Sequence, residues 1–148
     1  MSLVGNKIWR LMAREPDLKF AKTVFTLAGV WGILITLPLY FLRNFVDRES
    51  PPAITHPEFY YGFVGVTLTW QLVFLIIGRD PARYRSLMLP SILEKLSYVL
   101  ANLGLVICHE MSTSQALPSS TDLVLAILFG FALLRTKSKH FRETLECS

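Results

Sequence analysis

Residues 59–78 read FYYGFVGVTLTWQLVFLIIG and carry no charged side chain. A helix of this length, at about 1.5 Å per residue, covers about 30 Å, which is the thickness of the hydrocarbon core of a bilayer. Such a segment has to satisfy its backbone N–H and C=O groups internally, because lipid offers them no hydrogen-bond partner. The stretch therefore predicts a membrane-spanning α-helix.

Three further apolar runs of similar length flank this stretch, at residues 23–42, 89–108 and 119–136. The last run has a shorter apolar centre, residues 123–134, and it spans only if its Ser/Thr-rich start enters the interface. The runs are continuously apolar and do not alternate, which disfavours a β-barrel. A soluble domain is disfavoured as well, because a 148-residue chain that is 52% hydrophobic has too little polar surface to cover four such helices. We predict an all-α, four-helix transmembrane bundle forming one domain over residues 1–148.

The positive charges alternate along the chain and predict an orientation. Of the 15 Lys and Arg residues, five precede the first run, two follow it, three lie between the second and third, and none lies between the third and fourth. Four lie at or beyond the end of the fourth run, and Lys95 lies inside the third. By the positive-inside rule, both termini and the loop at residues 79–85 are cytoplasmic. The net charge of +4 then reflects topology and attraction to anionic headgroups, and the expected partner is the lipid bilayer rather than nucleic acid.

The chain ends add little to this picture. Residues 1–20 are predicted to be an interfacial amphipathic segment that Pro16 ends, with a frayed basic tail as the alternative. The first run is too long for the apolar region of a signal peptide, and we expect it to be retained. Cys108 and Cys147 fall on opposite sides of the predicted bundle, so no bridge between them is expected.

Polar side chains form one stripe on each of the two central runs. At about 100° per residue, each set falls within a sector of about 80°. The stripes comprise His56, Tyr60, Thr67 and Gln71 on the second run, and Ser91, Glu94, Tyr98, Asn102 and His109 on the third. The two runs are joined by a short loop, so we expect them to be antiparallel neighbours with facing stripes. Gln71 and Glu94 would then lie at similar depth on the inner half, with His56 and His109 flanking the outer mouth.

Polar residues within spans usually face the bundle interior, and three hypotheses follow from them. The first is a hydrogen-bonded seam between helices, each bond contributing about 0.6 kcal/mol. The second is a polar-lined pocket for a small amphipathic ligand, and the third is a path for protons or ions. The candidate ligand-binding residues are Gln71, Glu94, Tyr98, Asn102, Thr67 and Tyr60, with His56 and His109 at the outer mouth.

Glu94 is expected to be the only carboxylate clearly inside a span. It lies about 12 Å deep if its helix begins near Ser86 and about one turn deep if the helix begins at Pro90. The adjacent Lys95 is expected to reach the inner surface along its flexible stem. Asp122, in the sequence Pro118-Ser-Ser-Thr-Asp, reads as part of a helix start, and Glu58 reads as a carboxylate near a helix N-terminus.

No catalytic residue, metal or cofactor is assigned from the sequence. His56 and His109 would be placed to bind a metal or haem if the stripes meet, but histidines near a membrane rim are more typical of the interface. Motifs for zinc, phosphate or nucleophilic catalysis are not found. No metal site is therefore predicted.

Two stretches stand out in a chain of four spans with a basic start: the inner loop Arg79-Asp80-Pro81-Ala82-Arg83-Tyr84-Arg85 and the segment Pro57-Glu58-Phe59-Tyr60-Tyr61-Gly62-Phe63. With them, the chain resembles the DoxX-like group of small bacterial membrane proteins. The resemblance implies a location in the bacterial inner membrane and a lipophilic ligand such as a quinone, or an accessory role in a membrane redox complex. Two alternatives remain open. One is a purely structural subunit that packs against a membrane-protein partner or a second copy, and the other is a membrane enzyme that acts on a lipid-soluble substrate through Glu94.

Overall fold

The computed structural model describes residues 16–49 and 54–136, and over these ranges the chain is helical. The helices are α1 (Pro16–Thr36), followed by a 3₁₀ turn (Leu37–Tyr40), α2 (Arg43–Glu49), α3 (Pro57–Arg79), α4 (Arg85–Ile107), α5 (Thr113–Ala116) and α6 (Ser119–Arg135). Four segments are long and apolar enough to cross a membrane: Leu18–Tyr40, Pro57–Arg79, Arg85–Ile107 and Thr113–Arg135. The predicted all-α bundle with four membrane spans is confirmed. Residues 16–20 belong to α1, and the rest of the predicted interfacial segment lies outside the described residues.

The spans begin earlier than their apolar runs because polar residues complete the first turns. The described part of α1 begins at Pro16. Pro90 lies inside α4, which begins at Arg85. The short helix α5 is held by a capping box, in which the Ser112 hydroxyl accepts from the Gln115 N–H and the Ser112 N–H donates to the Gln115 side chain. This extra turn places the start of α6 inside the fourth span.

The four long helices pack as two hairpins. The helix α1 packs along α3, α4 packs along α6, and the two pairs meet mainly through α1 and α6. Close approach of α1 and α3 is permitted by Gly29, which faces Leu75, and by Gly78, which faces Thr26. The helices α3 and α4 are consecutive and antiparallel, as expected, but they touch little. A gap between them follows from this arrangement.

The packed core lies at one end of the bundle, called here the basic end because it carries Lys19, Lys22, Arg79, Arg83, Arg85 and Arg135. Three phenylalanines from three helices meet there. The rings of Phe25 and Phe129 stack with centroids 4.1 Å apart, and Phe74 meets Phe129 edge-on at 5.0 Å. Arg85 closes this end, since its Nε donates to the Thr136 carbonyl at 2.6 Å and so satisfies a terminal C=O beyond α6. The opposite end of the bundle lacks a comparable cluster among the described residues.

Candidate functional site

A cavity of about 630 Å³ lies between the two hairpins, in the half of the bundle away from the basic end. Its walls come from the second half of α1, the first half of α3, the middle of α4 and the start of α6. Four aromatic side chains contribute to the walls, namely Trp31, Phe63, Trp70 and Tyr98. The aromatic cluster of Phe25, Phe74 and Phe129 lies on the basic side of this cavity.

Three charged side chains form a cluster in the cavity wall. The Lys95 Nζ lies 2.8 Å from Asp122 Oδ1 and 3.3 Å from Glu94 Oε2. Lys95 is 6% exposed, and its ammonium lies 5.4 Å from the centroid of the Phe74 ring. The expectation that Lys95 extends to the inner surface is therefore wrong. Its ammonium instead forms an ion pair with the Asp122 carboxylate of α6, inside the bundle.

The cluster lies near the middle of the membrane spans. With α4 beginning at Arg85, Glu94 and Lys95 lie about 14 and 15 Å along the helix, so the deeper of the two predicted positions for Glu94 applies. Asp122 lies about 20 Å from Arg135, the last residue of α6. It is thus a second carboxylate within a span, and the expectation that Glu94 stands alone there is wrong.

Glu94 and Gln71 in the cavity wall make few hydrogen bonds. Glu94 Oε2 is buried without a hydrogen bond, although Lys95 lies near it. Gln71 is 2% exposed and makes one hydrogen bond within the described chain, from Nε2 to the Thr67 carbonyl of its own helix at 3.1 Å. Its Oε1 packs against Gly32, in space that a larger residue would fill. Gln71 and Glu94 thus line the same cavity without bonding to each other.

The other predicted stripe residues divide into two groups. Thr67 and Tyr98 line the cavity, and the Tyr98 ring stacks on Phe63 across the gap between α4 and α3 with centroids 6.0 Å apart. Asn102 is buried but lies outside the cavity wall. Tyr60 also lies outside it, because its hydroxyl donates to the Leu39 carbonyl at 2.8 Å and ties α3 to the 3₁₀ turn.

The two predicted outer-mouth histidines have local partners and roles. His56 Nδ1 lies 2.9 Å from Glu58 Oε1 at the exposed start of α3. His109 has a φ of 59°, the left-handed conformation that commonly ends a helix, and it follows the last turn of α4. In residues 16–49 and 54–136, no group of three His, Cys, Asp or Glu side chains is placed to hold a metal ion.

Sequence reasoning missed Asp122 and the tryptophans Trp31 and Trp70 as members of the site. The first was read as a helix-start residue, although counting turns from each basic helix end would have placed it close in depth to Lys95. The tryptophans carry no periodic polar signal, and their position depends on how the hairpins diverge. No sequence pattern reports that divergence.

No family model matches the chain, and no curated protein or solved structure matches it either. The helices establish a multi-pass integral membrane protein. The site is therefore interpreted from its own geometry.

Proposed function

We propose that this protein binds a small amphipathic molecule in the cavity between its two hairpins. The single observation that carries the proposal is the cavity itself, whose volume of about 630 Å³ lies within the range of about 300 to 1,000 Å³ that small-molecule sites occupy. Its walls are mainly apolar, with polar side chains contributed by all four long helices. That combination is typical of sites that bury an apolar body and orient a polar end.

The polar stripes of α3 and α4 favour a binding pocket over a hydrogen-bonded seam between these two helices. In such a seam, hydrogen bonds would cross from α3 to α4. Gln71 and Ser91 instead donate to carbonyls four residues earlier in their own helices, at 3.1 and 2.7 Å. These bonds stay within one helix and do not join α3 to α4.

The bound molecule is expected to place its polar end near Glu94, Lys95 and Gln71 and its apolar body against Trp31 and Trp70. The ligand would enter from the lipid phase between α3 and α4, where the helices touch little and the Phe63 and Tyr98 rings meet. The resemblance to the DoxX-like group adds a quinone, or a role beside a membrane redox complex in the bacterial inner membrane, as an expectation. Many leucines are exposed on the outside of the bundle. They do not favour the structural-subunit alternative, because contact with lipid requires an apolar outer surface just as contact with a protein partner would.

Native mass spectrometry of the full chain, extracted in a non-ionic detergent, tests the proposal with a matched pair of variants. Ala101 lines the cavity, whereas its neighbour Leu100 is 63% exposed and lies outside the wall. We expect wild type and Leu100→Trp to retain a co-purified small molecule, or to bind added ubiquinone or 1-dodecanol with a rise in Tm. Ala101→Trp should lose both effects because the indole fills the cavity.

Two results would contradict the proposal. One is the absence of any adduct or Tm rise for wild type with these probes. The other is an adduct that Ala101→Trp and Leu100→Trp affect equally, since the molecule would then be bound on the outer surface of α4.

A further inference from the structure

We infer that the polar end of the bound molecule is a cation, so that the ligand class is a lipophilic amine with a protonated head. This inference rests on the proposed function and specifies its ligand. It is carried by the charges in the cavity wall and by the Glu94 oxygen there that lacks a hydrogen bond.

The charged cluster holds one more acidic group than basic group. Glu94 and Asp122 bring two carboxylates, and Lys95 brings one ammonium, which lies 2.8 Å from Asp122 and 3.3 Å from Glu94. The remaining cavity-lining side chains of α1, α3, α4 and α6 are uncharged near neutral pH. An uncompensated charge is costly inside a bilayer, so the cluster calls for one further positive charge.

One hydrogen-bonding group of the cluster is left unfilled, and it is an acceptor. Glu94 Oε2 is buried without a hydrogen bond, and the cation near it, Lys95 Nζ at 3.3 Å, lies closer to Asp122, at 2.8 Å. Buried acceptors without donors are rare in proteins because each one loses its hydration. A protonated amine brings donors and positive charge together, whereas the carbonyl oxygens of an oxidised quinone bring further acceptors.

The aromatic walls suit the same ligand. Trp31, Trp70, Phe63 and Tyr98 line the cavity, and aromatic faces attract cations through their quadrupoles. The protein already holds one cation in this way, since the Lys95 ammonium lies 5.4 Å from the Phe74 centroid. A second ammonium placed toward Glu94 would meet a carboxylate and aromatic faces at once.

The inference is tested with three probes that share one chain length: dodecylamine, 1-dodecanol and dodecanoate. Their binding to the full chain in a neutral maltoside detergent at pH 7 is measured by native mass spectrometry and by the rise in Tm with probe concentration. We expect dodecylamine to bind at least about tenfold more tightly than dodecanol, and dodecanoate to bind most weakly.

A charge-removing variant and a matched control assign the preference to the cavity. Glu94→Gln should bring dodecylamine to within about twofold of dodecanol, because the surplus carboxylate is gone. Glu110→Gln removes the same charge from an exposed position outside this cavity and should keep the tenfold preference.

Each contrary outcome is distinct. Equal binding of dodecylamine and dodecanol to wild type would overturn the cation inference, since a proton on a carboxyl group would then balance the cluster, and it would leave the proposed function standing. Preferred binding of dodecanoate would also overturn it, because Lys95 would be the recognition group. If no probe binds and no adduct co-purifies, the proposed function fails together with the inference.

Discussion

At the scale of the single residue, Lys95 decides the balance of charge inside the bundle. Lys95 is 6% exposed, and its ammonium contacts carboxylates on two helices. Removing one member of a buried ion pair leaves the other charge uncompensated and typically costs about 3–5 kcal/mol. We expect Lys95→Met to lower the free energy of unfolding by about 3 kcal/mol, measured by reversible denaturant unfolding in mixed micelles.

The control for this prediction uses an exposed lysine and a double variant. Lys22 is exposed on α1, so Lys22→Met should change the stability by less than about 1 kcal/mol. The double variant Lys95→Met/Asp122→Asn removes both charges of the 2.8 Å pair and should recover most of the loss. A loss of under about 1 kcal/mol for Lys95→Met alone would mean that its ammonium is solvated.

The same cluster shows where residue-level prediction succeeds and where it stops. Gln71, Thr67, Glu94 and Tyr98 were grouped in the two polar stripes, because helical periodicity fixes which residues share a face. All four line the same cavity. The sequence around Asp122 carries a strong helix-start signal, and that local signal concealed its role as a partner of Lys95. A local motif reports backbone chemistry and says nothing about the helix that lies opposite.

At the scale of the helix, glycines set how closely α1 and α3 approach. A Cβ added at Gly78 would lie 3.1 Å from the backbone N of Thr26 and closer still to its hydroxyl, so the two helices would have to move apart. We expect Gly78→Ala to destabilise the protein by about 1–3 kcal/mol, as overpacking generally does. The measurement is the unfolding free energy in the same mixed micelles.

Gly104 provides the matched control for Gly78. It lies within α4, and an added Cβ there would meet no atom within 4 Å. Alanine is the better helix former, so Gly104→Ala should leave stability unchanged or raise it by up to about 1 kcal/mol. Equal losses for both variants would show that helix propensity, and not the contact of α1 with α3, governs the result.

The helices themselves could be predicted from the sequence, but their pairing could not. Apolar length identified all four spans, since lipid imposes a strict requirement on backbone hydrogen bonds. The expectation that α3 and α4 lie side by side is met only in part, because α3 packs mainly on α1 and leaves a gap toward α4. Pairing depends on the summed fit of two surfaces, and across this gap the Phe63 and Tyr98 rings meet with centroids 6.0 Å apart.

At the scale of the whole molecule, the bundle is packed at the basic end and open in its other half. The Phe25, Phe74 and Phe129 cluster closes one half, and the cavity occupies the other. The positive-inside rule predicts that the basic end faces the cytoplasm. If it does, the cavity lies in the outer half of the membrane, and its ligand is drawn from the outer leaflet.

The two cysteines of the chain provide a test of that orientation, because the rule predicts them to be on opposite sides. Cys108 is exposed at the end of α4 away from the basic end, and Cys147 follows the fourth span. In spheroplasts, a membrane-impermeant maleimide should label the Cys147→Ser variant through Cys108. The Cys108→Ser variant should be labelled only after permeabilisation, because its remaining thiol is cytoplasmic. Labelling of Cys147 in sealed spheroplasts, with Cys108 protected, would reverse the orientation and place the cavity in the inner half of the membrane.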